Sequence, residues 1–165
     1  MNHKLTNQLN VYLEVGSRRT FASAIDWPGW CRMGPDEATA LQTLFDYGPR
    51  YARILRPARL GFQVPNAVSA FAVVERLKGN ATTDFGAPDL APASDTQPLN
   101  DTELRRLQAL LKACWRAFDA AVERANGKTL RVGPRGGKRW PPRYFVRREA
   151  WHVLDHIWEI EDRLK

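Results

Sequence analysis

Cysteine is scarce in this chain: Cys31 and Cys114 are the only two, far apart and with no Cys-x-x-Cys pair. That excludes a disulfide framework and a zinc knuckle, and fits a reduced, cytoplasmic setting. Long hydrophobic runs are missing as well. No stretch approaches the roughly 18 consecutive apolar residues of a membrane span, so no membrane partner is expected. The opening MNHKLTNQLNVYLEV has no apolar core of a secretory signal. Histidine is limited to His3, His152 and His156, and no Ser/His/Asp grouping of any specificity assembles around them. The run GPRGGKR fails as a P-loop: three residues separate Gly133 from Gly137, and Arg139 stands where Ser or Thr would bind magnesium. A flexible, anion-tolerant turn is the better reading.

Positive charge is abundant and unevenly placed. The 165 residues carry 25 Lys and Arg against 18 Asp and Glu, a net +7. Residues 1–60 hold +3, 61–100 hold −2 and 101–165 hold +6. The excess peaks in KTLRVGPRGGKRWPPRYFVRR, residues 128–148, which has eight basic side chains and no acid. Trp140, Tyr144 and Phe145 interleave with those charges. Such a run either solvates a loop or grips a phosphate backbone and stacks on bases. In the second case Arg135, Lys138, Arg139 and Arg143 would be the phosphate contacts.

The patterning predicts an α+β chain. LNVYLEV at 9–15 alternates apolar and polar as a half-buried strand does, and TFASAI at 20–25 pairs with it across Gly16-Ser17. Trp27-Pro28-Gly29 then ends the ladder, because proline has no N–H to give it. A helix starts near Pro35, with Asp36 and Glu37 suited to a helix N-terminus, and Gly48-Pro49 kinks or splits it. AFAVVERL at 70–77 is the third strand. Residues 1–78 thus form a small antiparallel sheet with one helix. Residues 79–100, rich in proline and glycine and without a basic residue, read as a linker.

Residues 101–165 read as two helices, half of a bundle. Asn100 and Glu103 have capping-box spacing, and Leu104, Leu107, Leu111, Cys114, Phe118, Val122 and Ala125 form an apolar stripe that stops at Asn126-Gly127. A last helix follows Pro141-Pro142. On it His152, His156, Asp155 and Glu159 share an arc of roughly 100°. Two histidines four apart present both rings to one point, as two ligands of a divalent metal would. Asp155 and Glu159 would then orient the rings or act as a base. The same spacing also fits a solvated face, with the carboxylates paired to Arg148 and Arg163. Half a bundle exposes more apolar surface than a soluble monomer tolerates, so either the α+β unit covers it or two chains pair as a homodimer.

Two family resemblances attach to these segments. FASAIDWPGWCRMGPDEATAL resembles the HicB-like antitoxin module over about residues 9–55, through Asp26, Pro28, Gly29, Gly34, Glu37 and Ala38. That resemblance implies a small ββαβ-like fold related to the double-stranded RNA-binding module, and a nucleic acid or a small protein as partner. AWHVLDHIWEIEDR, with the helix at 101–126, is similar to the DinB-like helical bundles. It implies a divalent metal, zinc or nickel, held in part by His152 and His156. A third histidine ligand, usual in that superfamily, has no counterpart between residues 3 and 152. Divalent-metal binding, with or without catalysis, is the resulting expectation, and in a homodimer His152 and His156 of both chains could meet across a twofold axis.

Overall fold

A computed structural model describes residues 8–125 and 163–164. In order come β1 (Leu9–Val15), β2 (Thr20–Ala24), β3 (Cys31–Gly34), α1 (Glu37–Leu55), β4 (Phe71–Lys78), α2 (Ala81–Phe85) and α3 (Asp101–Ala125). The chain is α+β. It divides within α3, residues up to Cys114 making one compact unit and Trp115 onward a second.

The sheet has four strands in the order β3-β2-β1-β4. β1, β2 and β3 pair antiparallel in sequence, while β4 lies parallel to β1. The sheet is therefore mixed, which corrects the antiparallel expectation. A parallel neighbour needs a crossover, and α1 supplies it. β3 is a strand that the pattern did not announce. Trp27-Pro28-Gly29 does not end the ladder but turns it, with Gly29 at φ +87°, and Ala24 N donates to Trp30 O at 3.1 Å. The chain then returns along β2.

One face of the sheet meets α1. Val11, Leu13, Ala22 and Ala24 pack with Ala40, Leu44, Tyr51 and Leu55 in a single core. Asp36 caps α1, its carboxylate accepting from Thr39 N at 2.7 Å, so Pro35 stands just outside the helix rather than at its first position. Gly48-Pro49 neither splits nor ends α1. Pro49 withholds an N–H from the Phe45 carbonyl, and one residue earlier the Trp30 indole donates to Leu44 O at 2.9 Å, fixing the helix to the β2–β3 connection. Gly48 permits that approach: a Cβ there would stand 3.4 Å from the Trp30 ring and 3.2 Å from Val64.

The opposite face carries Tyr12 and Glu14 of β1 and, across from Tyr12, Ser23 of β2. Residues 79–100 are bound to the sheet rather than linking past it. Thr83 on α2 donates to the buried Glu14 carboxylate, which also accepts from Asp89 N at 2.9 Å. Asp84 takes the N–H groups of the β1–β2 turn, Arg18 N at 2.7 Å and Ser17 N at 3.1 Å. Ala93 N donates to Glu75 on β4 at 3.1 Å.

α3 opens with the expected capping box: Asn100 Oδ1 accepts from Glu103 N at 3.0 Å, and Asn100 N donates back to Glu103 at 3.1 Å. Leu110 and Ala113 are buried in the sheet–α1 core; of the predicted stripe Cys114 packs against that core, while Leu104 and Leu111 are exposed. The Arg106 guanidinium lies 4.3 Å above the Trp27 ring, next to Tyr51 Oη donating to Pro28 O at 2.8 Å. Beyond Cys114, Trp115 and Phe118 meet edge to face at 5.7 Å.

Candidate nucleic-acid interface

The second half of α1 and the turn after it carry Arg50, Arg53, Arg56 and Arg59, four arginines at three-residue intervals. Between Tyr47 and Val74 there is no acidic residue to offset them. All four are exposed. The ion pair Arg76–Glu37, at 3.0 Å on the first turn of α1, involves none of them. One cation near the C-terminal end of a helix follows from the helix dipole, and Arg53 fills that place. The other three do not follow from it.

At the N-terminal end of this series two guanidiniums lie over one ring. Arg32 of β3 has its Cζ 3.8 Å from the Tyr47 ring centre, and Arg50 has its own at 4.8 Å. Arg32 Nε is buried and makes no hydrogen bond; the tyrosine face supplies the attraction instead. Contact with Tyr47 holds both guanidiniums at one ring while Arg50 stays exposed to solvent. That is a pre-arranged set for phosphate oxygens, which accept the planar fork of arginine well.

At the other end α1 tightens into a 3-10 turn, Arg56–Ala58, capped by Arg59 in the left-handed region at φ +50°. A 3-10 turn stacks residues three apart on one side, and Arg56 and Arg59 both line one half-open concavity of about 340 Å³. Its remaining walls include Ala52, Leu55, Leu60 and Phe62. Phe62 is held by edge contacts with Trp27, Trp30 and Tyr51, at centroid distances of 4.9, 5.1 and 5.1 Å.

The residues singled out in the sequence fall elsewhere. His152, His156, Asp155 and Glu159, and Arg135, Lys138, Arg139 and Arg143, lie outside the described residues. Among the described residues no three His, Cys, Asp or Glu side chains gather as metal ligands, and no helix is long and apolar enough to cross a membrane. Cys31 opens β3, and burial pushes its thiol above the ordinary value. A thiolate nucleophile is not built there. The arginine series escaped a reading based on charge totals, because Asp26, Asp36, Glu37 and Asp46 dilute it within residues 1–60. Its three-residue spacing was the available signal. No protein-family model matches the chain, and neither a curated protein nor a solved structure matches it.

Proposed function

We propose that this chain binds nucleic acid through the α1 arginine face, with the basic run at 128–148 as a second contact. The observation that carries the reading is the set Arg50, Arg53, Arg56 and Arg59, exposed and without an acidic partner among the described residues. Four like charges on one helix end repel each other at a cost in stability. An incoming polyanion converts that cost into binding energy by releasing its condensed counterions. The overall pI of about 9.8 favours the same class of partner.

Fluorescence anisotropy of a labelled ten-nucleotide RNA, its DNA equivalent and a short RNA duplex, each titrated across salt, tests the reading. Log affinity should fall linearly with log salt, and the double variant Arg50→Gln/Arg53→Gln should flatten the slope by about 1–2. Binding that ignores salt, or no binding at 50 mM salt, would remove the proposal.

Two further proposals rest on the sequence and stand apart from this one. A divalent metal at His152 and His156 is tested by metal analysis of untagged protein beside His152→Ala/His156→Ala. A homodimer through α3, where Leu104 and Leu111 are 44% and 57% exposed, is tested by light scattering at micromolar concentration.

A further inference from the structure

The concavity beyond α1 is lined by chemistry of two kinds. Leu55, Leu60 and Phe62 form an apolar wall, with Phe62 fixed by its contacts to Trp27, Trp30 and Tyr51. Arg56 and Arg59 line the same space, and no acid is among the lining residues. Neither guanidinium has an ion-pair partner among the described residues. An apolar wall beside two arginines fits a ligand with a flat apolar body and an anionic group close to it. A volume of about 340 Å³ is at the small end of ligand sites, the size of one nucleotide rather than of a helix or strand.

Arg59 supplies the second argument. It occupies the cap position at φ +50°, where glycine is the ordinary choice because a side chain there strains the backbone. An arginine in that place costs stability: its backbone N–H donates to Arg56 O at 3.3 Å, as any residue's would, while its side chain makes no hydrogen bond or ion pair among the described residues. Nothing in the packing accounts for it. Strain retained at a residue that the fold does not need points to use of the side chain.

We infer that this concavity takes one unstacked nucleotide of a single strand, its base against Phe62 and Leu60 and its phosphate on Arg56 and Arg59. The inference rests on the nucleic-acid reading above and narrows it. A base can enter only when it is free of a duplex, so single strands bind in preference to double strands. RNA and DNA both present this nucleoside phosphate, and the sugar preference is decided by comparing the two.

The test uses the full chain and three probes: oligouridine and oligothymidine ten-mers, and the oligouridine with abasic positions. The decisive variant is Arg59→Gly. Relief of the backbone strain should raise its melting temperature by roughly 2 °C, while its affinity for the intact ten-mers falls about tenfold. Removing bases should weaken wild type and leave Arg59→Gly nearly unaffected. Arg56→Gln, which alters no strained position, should lose affinity as well. If Arg59→Gly binds like wild type while Arg50→Gln/Arg53→Gln is weakened, the arginine face stands and the pocket is overturned. An abasic ten-mer that binds wild type as well as the intact one also overturns the pocket. If wild type binds no nucleic acid at all, the broader reading fails and the pocket with it.

Discussion

Glu14 of β1 and Thr83 of α2, 69 residues apart, share a hydrogen bond of 2.5 Å in which the Thr83 hydroxyl donates to the Glu14 carboxylate. Both side chains are sealed from solvent, at 1% and 0% exposure. A buried carboxyl needs hydrogen-bond partners, and Glu14 takes the others from the Asp89 and Leu90 N–H groups at 2.9 and 3.4 Å. All of these donors lie in residues 79–100. The polar residue at the centre of the sheet is thus what gives that segment its position.

Glu14→Gln should therefore destabilise the chain by about 1–3 kcal/mol. The new amide places donors against donors on at least one side of the site. Urea unfolding measures the loss. Limited proteolysis locates it, because cleavage between residues 86 and 93 should speed up before cleavage in β1 or α1 does. Equal protection of that segment in wild type and variant would mean Glu14 does not hold it.

Gly34 ends β3 where the strand meets the first turn of α1. A Cβ at this position would come within 2.5 Å of Ala40 N and 2.8 Å of Thr39 C. Those are backbone atoms of a capped helix, with no side chain to swing aside. Gly34→Ala should cost about 2–4 kcal/mol by forcing α1 away from the sheet. Gly29→Ala makes an informative companion, since a Cβ there meets nothing within 4 Å and the only cost is the positive φ. Its effect should be about 1 kcal/mol. Thermal melts of the two variants reversing that order would contradict the close approach at Gly34.

Asp84 holds the β1–β2 turn, and its carboxyl sits below the usual carboxylate range, first because the Ser17 hydroxyl donates to it and then because Arg18 N–H does. A carboxyl with a depressed folded-state pKa contributes stability that is fully present above its unfolded value. That value is about 4, and the contribution is lost as pH falls through the lower folded one. The stability gap between wild type and Asp84→Asn should be constant from pH 7 to about pH 5 and then close as pH is lowered further. Urea midpoints at four pH values read it directly. A gap that stays unchanged to the acid end would show that the charge on Asp84 is immaterial to the turn.

How much of this was readable without coordinates depends on what each element asks of its residues. β1, β2, β4 and α3 announce themselves through apolar periodicity and the Gly16-Ser17 turn, although β1 and β2 are buried on both faces. β3 does not: CRMG is four residues with a glycine and no alternation, and it becomes a strand only because β2 lends it a ladder. The parallel placement of β4 is a choice between sheet edges, and local pattern carries no record of it. α2 was hidden by the prolines and glycines around it, although Asn80 and Thr83 form a full capping box. The arginine face was hidden differently. Arg50 and Arg53 belong to the helix and Arg56 and Arg59 to the tighter turn, so neither a helical nor a strand period collects all four.

Cys31 offers a check on the chemistry of the sheet's second face. It pairs with Ser23, and Ser23 in turn with Tyr12. Burial raises the Cys31 thiol above its ordinary value, against the opposing pull of Arg32, and raises the Tyr12 phenol to about 12. The thiolate is the form that alkylates, so little of the reactive species exists at neutral pH. Iodoacetamide should modify Cys31 roughly tenfold more slowly than free glutathione at pH 7.5, with the rate climbing as pH rises. In 8 M urea the difference should vanish, because the shift belongs to the fold and not to the local sequence. Mass spectrometry of the peptide carrying Cys31 separates it from Cys114, whose thiol burial also raises. Native labelling as fast as that of glutathione would mean that this face opens to solvent. The hold of Glu14 on residues 79–100, and of Asp84 on the β1–β2 turn, would then be far weaker than their hydrogen bonds imply.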